Sequence, residues 1–373
     1  MGEFPMTSSE LPTRFSLSSW FIKNKKSQPQ SESKRNVGTT LSSVSFNQTF
    51  DCFSCSTDQG FRIYSLHPLQ EDFRRDCKGG IRLVEMLFKS NIIAFVGGDQ
   101  NPEYPPHRLI IWDDNQKKCI ANLCQSSKIR AVKLRNDLFV VVLEHKIKVY
   151  GFTSFKVMYE IETVSNPKGL CDISHIRDSY VVACPGLHNG QVRVAHHHLK
   201  KTDQMIDAHE SQISCFSLTR DGAILATAST RGTVVRIFNT LDGTLLQEVR
   251  RGSDQAEVYS ISLSPIAQWL AVCSEKGTVH IFGLKEKVTE KVSSSLNTNF
   301  TNQLGSGSGS DQSLVASNKG QKPARPSLEL LKGVLPKYFS SQWSFAQFHL
   351  PANVRYTIGF GANNTIVMAG LDG

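Results

Sequence analysis

Short apolar runs recur along this chain and are separated by turn-forming residues. From about residue 40 onward, segments rich in Val, Ile, Leu and Phe are interrupted by Gly, Asn and Asp. Runs of this length are typical of β-strands, and no segment predicts a long helix. Strands are predicted at residues 41–46, 52–55, 61–64, 83–88, 92–96, 109–112, 129–134, 138–143, 147–152, 179–184, 191–195, 213–219, 224–228 and 233–238. The pattern predicts an all-β fold.

The predicted strands repeat with a period of about forty residues. The two clearest copies cover residues 208–238 and 258–282. Each copy contains a strand, a turn, a second strand, a Gly-Thr turn and a third strand, which is the pattern of a β-propeller blade. Trp112 and Asp113 supply the Trp-Asp dipeptide of an earlier repeat. Length and period together predict a seven-bladed WD-repeat β-propeller over residues 39–373.

Two segments do not follow the repeat. Residues 1–38 are rich in Ser, Gln, Lys and Pro, which predicts a disordered basic tail. Residues 284–335 interrupt the sixth blade and contain a Gly-Ser repeat, which predicts a flexible loop. Apolar residues near the end of this loop are Leu328, Leu330, Leu331 and Val334. Their spacing favours an amphipathic membrane-insertion segment, and the alternative is a plain return into the sheet.

The formal net charge of +9 favours an anionic partner, either nucleic acid or an acidic membrane surface. Nucleic acid is disfavoured, because charge alone suggests it and no aromatic platform or known module accompanies it. The nine cysteines have no metal or disulfide spacing, which indicates a reducing, cytosolic location. No apolar run is long enough to span a membrane, so peripheral membrane contact is expected.

An enzyme is also disfavoured, and no cofactor or metal is expected. His196, His197 and His198 are consecutive, but neighbouring side chains on a strand face opposite ways and no carboxylate set stands at ligand spacing. Cys52 and Cys55 form a Cys-x-x-Cys pattern without a following helix, which favours buried apolar cysteines. No nucleophile elbow is present.

Arg250, Arg251 and Gly252 carry the strongest candidate chemistry. Side chains alternate across a strand, so the two arginines are expected to face opposite sides and to serve two separate anion sites. The glycine lets the backbone approach a ligand closely. An isolated arginine pair would more often only solvate a surface, so its context decides the interpretation.

The sequence around the arginine pair resembles that of the PROPPIN family, called WIPI proteins in animals, and of its plant members in particular. The resemblance spans residues 41–373 apart from the insertion. Motifs that carry it include Ser45-Phe-Asn-Gln, Gly60-Phe-Arg-Ile, Asn166-Pro-Lys-Gly-Leu, Gly232-Thr-Val-Val-Arg-Ile-Phe, Arg250-Arg-Gly, Gly277-Thr-Val-His-Ile-Phe and Leu335-Pro-Lys-Tyr-Phe-Ser-Ser. It implies a phosphoinositide effector that binds phosphatidylinositol 3-phosphate and 3,5-bisphosphate through two rim pockets and recruits autophagy machinery during autophagosome formation.

The resemblance assigns residues to both pockets, in blades five and six. Pocket one comprises His209, Ser229, Gly232, Thr233, Arg236 and Arg250. Pocket two comprises Arg251, Ser253, Ser274, Lys276, Thr278 and His280. Arginine forks, hydroxyls and backbone amides suit phosphate oxygens. The alternatives are structural: Arg236 as a blade-surface residue, Thr233 and Thr278 as ordinary turn residues, and His209 as part of the hydrogen-bond network common in WD repeats. Histidines beside phosphate are expected to be protonated, which predicts stronger binding in mild acid.

The implied partner is a phosphoinositide-containing membrane, with the monomeric protein placed in the cytoplasm and peripherally on preautophagosomal, endosomal or vacuolar membranes. The resemblance implies that autophagy-related protein two binds at the face near Asn47. Relatives often have Asp where this chain has Thr49, which leaves that partner open. The alternative function is a WD-repeat interaction scaffold without strong lipid binding. Blade seven is expected to be incomplete near Leu371, unless residues near Leu41 complete it.

Overall fold

The computed structural model describes residues 40–176, 180–197, 203–292, 342–351, 354–361 and 365–371. Within these ranges the chain forms strands β1–β26 and a short helix, α1, at residues 286–292. The strands of the first four sheets are β1 Leu41–Phe46, β2 Cys52–Thr57, β3 Gly60–Leu66, β4 Leu69–Asp76, β5 Ile81–Met86, β6 Ile92–Gly97, β7 Arg108–Asp113, β8 Lys118–Cys124, β9 Ala131–Leu134, β10 Leu138–Val142, β11 Lys146–Gly151, β12 Val157–Glu162, β13 Asp172–Ile173, β14 Val181–Pro185, β15 Gln191–His196 and β16 Gln204–Asp207. The remaining strands are β17 Ile213–Leu218, β18 Ile224–Ser229, β19 Val234–Asn239, β20 Leu245–Arg250, β21 Val258–Leu263, β22 Trp269–Ser274, β23 Thr278–Gly283, β24 Ala346–His349, β25 Tyr356–Phe360 and β26 Ile366–Gly370.

The strands pair in chain order into antiparallel sheets. In the described ranges there are six four-stranded sheets, which we call blades one to six, and a two-stranded sheet formed by β25 and β26. The first strand of blade five contacts the first strand of blade six, which contacts β25, and β25 contacts β1 of blade one. The fold is therefore an all-β propeller, as predicted. Seven complete blades are not confirmed, because the seventh sheet shows only two strands and β26 ends at Gly370.

Burial explains why the strands appear in the sequence as continuous apolar runs. Every residue of β2, β10, β14 and β18 is buried. A strand in the middle of a blade is covered on both faces by the neighbouring blades, so it lacks the alternation of a half-exposed sheet. Between blades five and six, Ile237 and Val249 pack in one cluster with Val258 and Val272. This cluster fixes the position of one blade against the other.

The insertion in blade six departs from the expected flexible loop at its beginning. Residues 286–292 form α1, and Val288 and Val292 are buried in the cluster between blades five and six. The loop prediction was wrong for this stretch because the two valines, four positions apart, lie on one face of a helix and find an apolar surface. The predicted tail at 1–38 and the proposed membrane residues Leu328, Leu330, Leu331 and Val334 lie outside the described residues. No helix in the described part of the chain is long and apolar enough to cross a membrane.

The ring is closed where the two-stranded sheet meets blade one. Phe50, in the turn between β1 and β2, packs against Gly359 of β25, and a Cβ at Gly359 would lie 2.0 Å from Phe50 Cδ1. Val367 of β26 is buried in a cluster with Phe53 and Cys55 of blade one. The absence of a side chain at Gly359 therefore permits the two sheets to approach each other.

We predict that Gly359→Ala lowers the free energy of unfolding by about 1–3 kcal/mol, because the added methyl overpacks the seam against Phe50. Gly252→Ala is the matched control, since a Cβ there meets nothing within 4 Å and neither glycine has a positive φ. Urea unfolding of both variants measures the difference. Equal stability of the two variants would contradict the role assigned to this seam.

Candidate functional site

The Arg-Arg-Gly run lies where blade five passes into blade six. Arg250 ends β20, Arg251 and Gly252 follow, and β21 begins at Val258. The backbone N–H groups of Arg251 and Gly252 donate to Thr233 O, at 2.9 and 3.4 Å. We call residues 250–257 the linker. The sequence placed the arginines correctly at the junction of two blades.

The linker packs on the turn between β18 and β19, which holds three predicted pocket-one residues. Gly232 N–H donates to Ser229 O at 2.9 Å, and Gly232 has a φ of 59°. A Cβ at Gly232 would lie 1.7 Å from Ala256 O, so only glycine allows the linker to approach this closely. Ser229, Gly232 and Thr233 are thus brought beside the arginine pair.

The Arg251 side chain is buried and joins this turn to the linker. Its Nε donates to Gly232 O at 2.6 Å, and an Nη donates to Asp254 O. Only 6% of the residue is exposed. Burial lowers the pKa of the guanidinium, although Asp254 and Glu275 oppose that shift. Arg251 therefore has a structural function in the unliganded protein, which the sequence did not predict.

His209, which precedes β17, and Arg236 of β19 belong to a second network in blade five. Arg236 Nε pairs with Glu248 Oε2 at 2.8 Å, and its Nη1 donates to Ala208 O at 2.7 Å. His209 Nε2 lies 2.9 Å from Thr227 Oγ1. The structural alternative considered for these two residues is therefore realised in the unliganded protein, and a ligand would have to share these groups.

The pocket-two residues are grouped around the turn between β22 and β23. Ser274 ends β22, Thr278 begins β23, and Gly277 N–H donates to Ser274 O at 3.0 Å. Lys276 Nζ lies 2.9 Å from Asp254 Oδ2, and Ser253 Oγ donates to Asp254 Oδ1 at 3.1 Å. Ser274 Oγ is buried and has no hydrogen-bond partner within the described ranges. Buried hydroxyls are normally satisfied, so Ser274 is an exception among the described residues.

His280 lies apart from that turn, beside the residues that return from the insertion. Its Nδ1 is 3.4 Å from Ser344 Oγ. Two residues earlier, Gln342 O accepts the Arg250 N–H at 2.8 Å. The Gln342 side chain accepts from Gln247 at 2.7 Å and donates to Gly283 O at 3.0 Å. The segment that follows the insertion is therefore bonded to the strand that carries Arg250.

Burial lowers the pKa of both histidines assigned to the pockets. Desolvation, with a contribution from Arg236, lowers the pKa of His209 to about 4. Desolvation and Arg251 lower the pKa of His280 to about 4 as well. Such low pKa values favour neutral imidazoles at pH 6 in the unliganded protein. Protonation of these histidines beside a bound phosphate stays a prediction.

Two motifs that could have suggested an enzyme have structural places in the fold. Cys52 and Cys55 are buried on β2, and burial raises the pKa of Cys55 to about 12. His196 Nε2 lies 3.0 Å from Thr240 O, and His197 stacks on Tyr180 with ring centroids 4.5 Å apart. His198 lies outside the described residues. In the residues described, no group of three or more His, Cys, Asp or Glu is arranged to hold a metal ion.

The fold and the linker define a β-propeller that gathers phosphate-binding residue types where two blades meet. The PROPPIN family model matches residues 40–305. The chain belongs to the PROPPIN family, which confirms the resemblance found in the sequence.

Relatives and solved structures agree with this membership. The chain is 41% identical over 350 residues to autophagy-related protein 18e of Arabidopsis thaliana, with 92% of this chain and 84% of the relative covered. It is 32% identical to autophagy-related protein 18 of Dictyostelium discoideum, with 87% and 85% covered. Kluyveromyces lactis Hsv2 is similar in fold, with a TM-score of 0.66, 23% identity and 90% and 91% covered. A chain of the complex of KlAtg21 with the coiled-coil of AgAtg16 gives a TM-score of 0.67 at 23% identity, with 90% and 92% covered.

We predict that acid destabilises the protein through its buried histidines. A histidine with a lowered folded pKa binds fewer protons than in the unfolded chain, so stability is present above about pH 6.5 and is lost as the pH falls towards 4. His280→Gln should reduce this loss by on the order of 1–3 kcal/mol. His188 is exposed, so His188→Gln is the control. Urea unfolding of the wild type and both variants at pH 7 and pH 4.5 measures the effect. An equal loss of stability in the three proteins would contradict the prediction.

Proposed function

We propose that this protein is a non-enzymatic phosphoinositide effector. It binds phosphatidylinositol 3-phosphate and 3,5-bisphosphate on membranes through pockets one and two, and it recruits autophagy machinery there. The observation that carries this proposal is the position of the linker, with Arg250 and Arg251 between the Ser229–Thr233 turn and the Lys276 turn. Family membership and relatives named for autophagy support it.

The unliganded protein retains donors for phosphate. A guanidinium has five N–H groups, and the two bonds of Arg251 to carbonyls leave others for a ligand. Ser274 Oγ offers a buried hydroxyl without a partner within the described ranges. The space beside Gly252 is open, so a headgroup can approach the backbone there. These groups make pocket two suited to a phosphate monoester.

Two pockets on one rigid ring favour membranes over soluble headgroups. After one headgroup is bound, capture of a second becomes intramolecular and raises the apparent affinity by roughly 10²- to 10⁴-fold. Basic residues near an anionic surface add about 1 kcal/mol each. We place the protein in the cytoplasm, with peripheral binding to preautophagosomal, endosomal or vacuolar membranes. The sheet of β25 and β26 is proposed to be the inner half of a seventh blade.

Protein partners are a further part of the proposal. KlAtg21 forms a complex with the coiled-coil of AgAtg16, which supports autophagy proteins as partners of this fold. We keep autophagy-related protein two as a candidate near Asn47. Asn47 itself is buried, and its amide donates to Thr49 Oγ1 and Asp51 Oδ1 at 3.1 and 2.6 Å. Its function is therefore to shape the turn, and a partner would contact the side chains around it.

We predict that Arg250→Thr combined with Arg251→Thr reduces binding to vesicles containing phosphatidylinositol 3-phosphate by at least about tenfold. The variant loses the guanidinium groups that would donate to phosphate, and with them the avidity of two pockets. Arg251→Thr also leaves Gly232 O without its donor and should cost about 1–3 kcal/mol of stability. Vesicle sedimentation is therefore paired with a urea unfolding curve, so that only folded protein is compared.

The control for this prediction removes two cations elsewhere. Arg74 and Lys117 are exposed and pair with Glu71 and Asp114 in blades one and two. Arg74→Thr with Lys117→Thr lowers the net charge equally, and we expect it to retain most of the binding. Sedimentation of the folded Arg250/Arg251 variant at the wild-type level would reject the lipid function and favour the protein scaffold.

A further inference from the structure

Three of the six predicted pocket-two residues contact one residue, Asp254, that the sequence did not single out. Lys276 Nζ and Ser253 Oγ contact the two carboxylate oxygens of Asp254, at 2.9 and 3.1 Å. Arg251 donates to the backbone oxygen of the same residue. The carboxylate thus occupies the cation and hydroxyl that pocket two would offer to a phosphate.

A carboxylate and a phosphate oxygen satisfy the same donors. Both accept charge-assisted hydrogen bonds from ammonium and hydroxyl groups. The single O–H of Ser253 can donate to only one of them at a time, and the two anions compete for the charge of Lys276. The bond to Lys276, followed by that to Ser253, lowers the pKa of Asp254, which keeps the side chain ionised at neutral pH. An approaching anion therefore meets a competing negative charge as well as the cations.

We propose that Asp254 is a specificity-determining residue, an internal anion that competes with a phosphate monoester for the Ser253 hydroxyl and for the charge of Lys276. This inference rests on the proposed lipid function of pocket two. A phosphate monoester carries up to two charges and three strong acceptor oxygens, and it can replace both bonds while engaging Arg251. The carboxylate of phosphatidylserine provides a single charge and cannot compensate for the displacement. Asp254 thereby directs the pocket towards monoesters and against general anionic lipid.

The arrangement allows the side chain to be changed without disturbing the fold. The Asp254 side chain is 72% exposed, and the bond from Arg251 ends on the backbone oxygen, which a substitution retains. Exposed ion pairs contribute little to stability, so Asp254→Asn should fold as the wild type does. Pocket one contains a comparable pair, Arg236 with Glu248, but both of its side chains are more buried. The test therefore belongs at Asp254.

A matched variant separates this local effect from a change in net charge. Asp99 pairs with Lys128 at 2.6 Å in blade two, and its side chain is 63% exposed. Asp254→Asn and Asp99→Asn each remove one negative charge from a Lys-Asp pair whose carboxylate is exposed. Any gain in vesicle binding that comes only from the more positive net charge must appear in both variants.

The experiment measures sedimentation with phosphatidylcholine vesicles that contain either phosphatidylinositol 3-phosphate or phosphatidylserine. Asp254→Asn should bind the phosphoinositide vesicles about two- to fivefold more tightly than the wild type. It should also bind phosphatidylserine vesicles more tightly than the wild type does. The ratio of its affinity for phosphoinositide vesicles to its affinity for phosphatidylserine vesicles should therefore fall. Asp99→Asn should match the wild type on both vesicles.

Each outcome decides between the two proposals. If the wild type binds phosphoinositide vesicles and Asp254→Asn is no tighter than Asp99→Asn, the inference about Asp254 is overturned while the lipid function stands. If the wild type fails to bind and Asp254→Asn binds, the competing carboxylate is supported. If neither protein binds either vesicle, both the lipid function and this inference are rejected.

Discussion

Every complete blade must be covered by a neighbour on each face, and the rest of the structure depends on this constraint. Fully buried strands such as β10 and β18 have no polar face to present to water. The sheets therefore remain folded only within a closed ring, and each linker between blades is held at both ends by packed sheets. The linker from Arg250 to Glu257 inherits its fixed position from the cluster that contains Val249 and Val258.

Within that linker, conformation is set by bonds to the backbone of blade five. Arg251 N–H donates to Thr233 O, and the Arg251 side chain donates to Gly232 O. The charged group is thus oriented before any ligand arrives, which reduces the entropic cost of binding. Gln342 adds a second restraint, because its backbone oxygen accepts the Arg250 N–H. The insertion in blade six is consequently joined to the same strand end as the arginines.

The sequence predicted what depends on local pattern and missed what depends on contacts between sheets. The strands predicted at 213–219 and 224–228 correspond to β17 and β18, because two apolar runs separated by the Asp221-Gly222 turn predict them locally. The contact of Asp254 with Lys276 joins residues 22 positions apart in the chain, and no sequence motif predicts it. Burial of His280 likewise depends on residues that return from the insertion, including Ser344. Such properties follow from the assembled ring and cannot be inferred from one strand.

The arginine pair links its two predicted pockets mechanically. Arg250 ends the outer strand of blade five, while the Arg251 side chain bridges the blade-five turn at Gly232 and the linker at Asp254. A displacement of either turn must therefore move the guanidinium or break one of its bonds. Adjacent residues share a peptide unit, so the position of one arginine restricts the other. Two anions bound here would consequently be held at a fixed separation, and the pair is better regarded as one rigid element serving two blades than as two independent side chains.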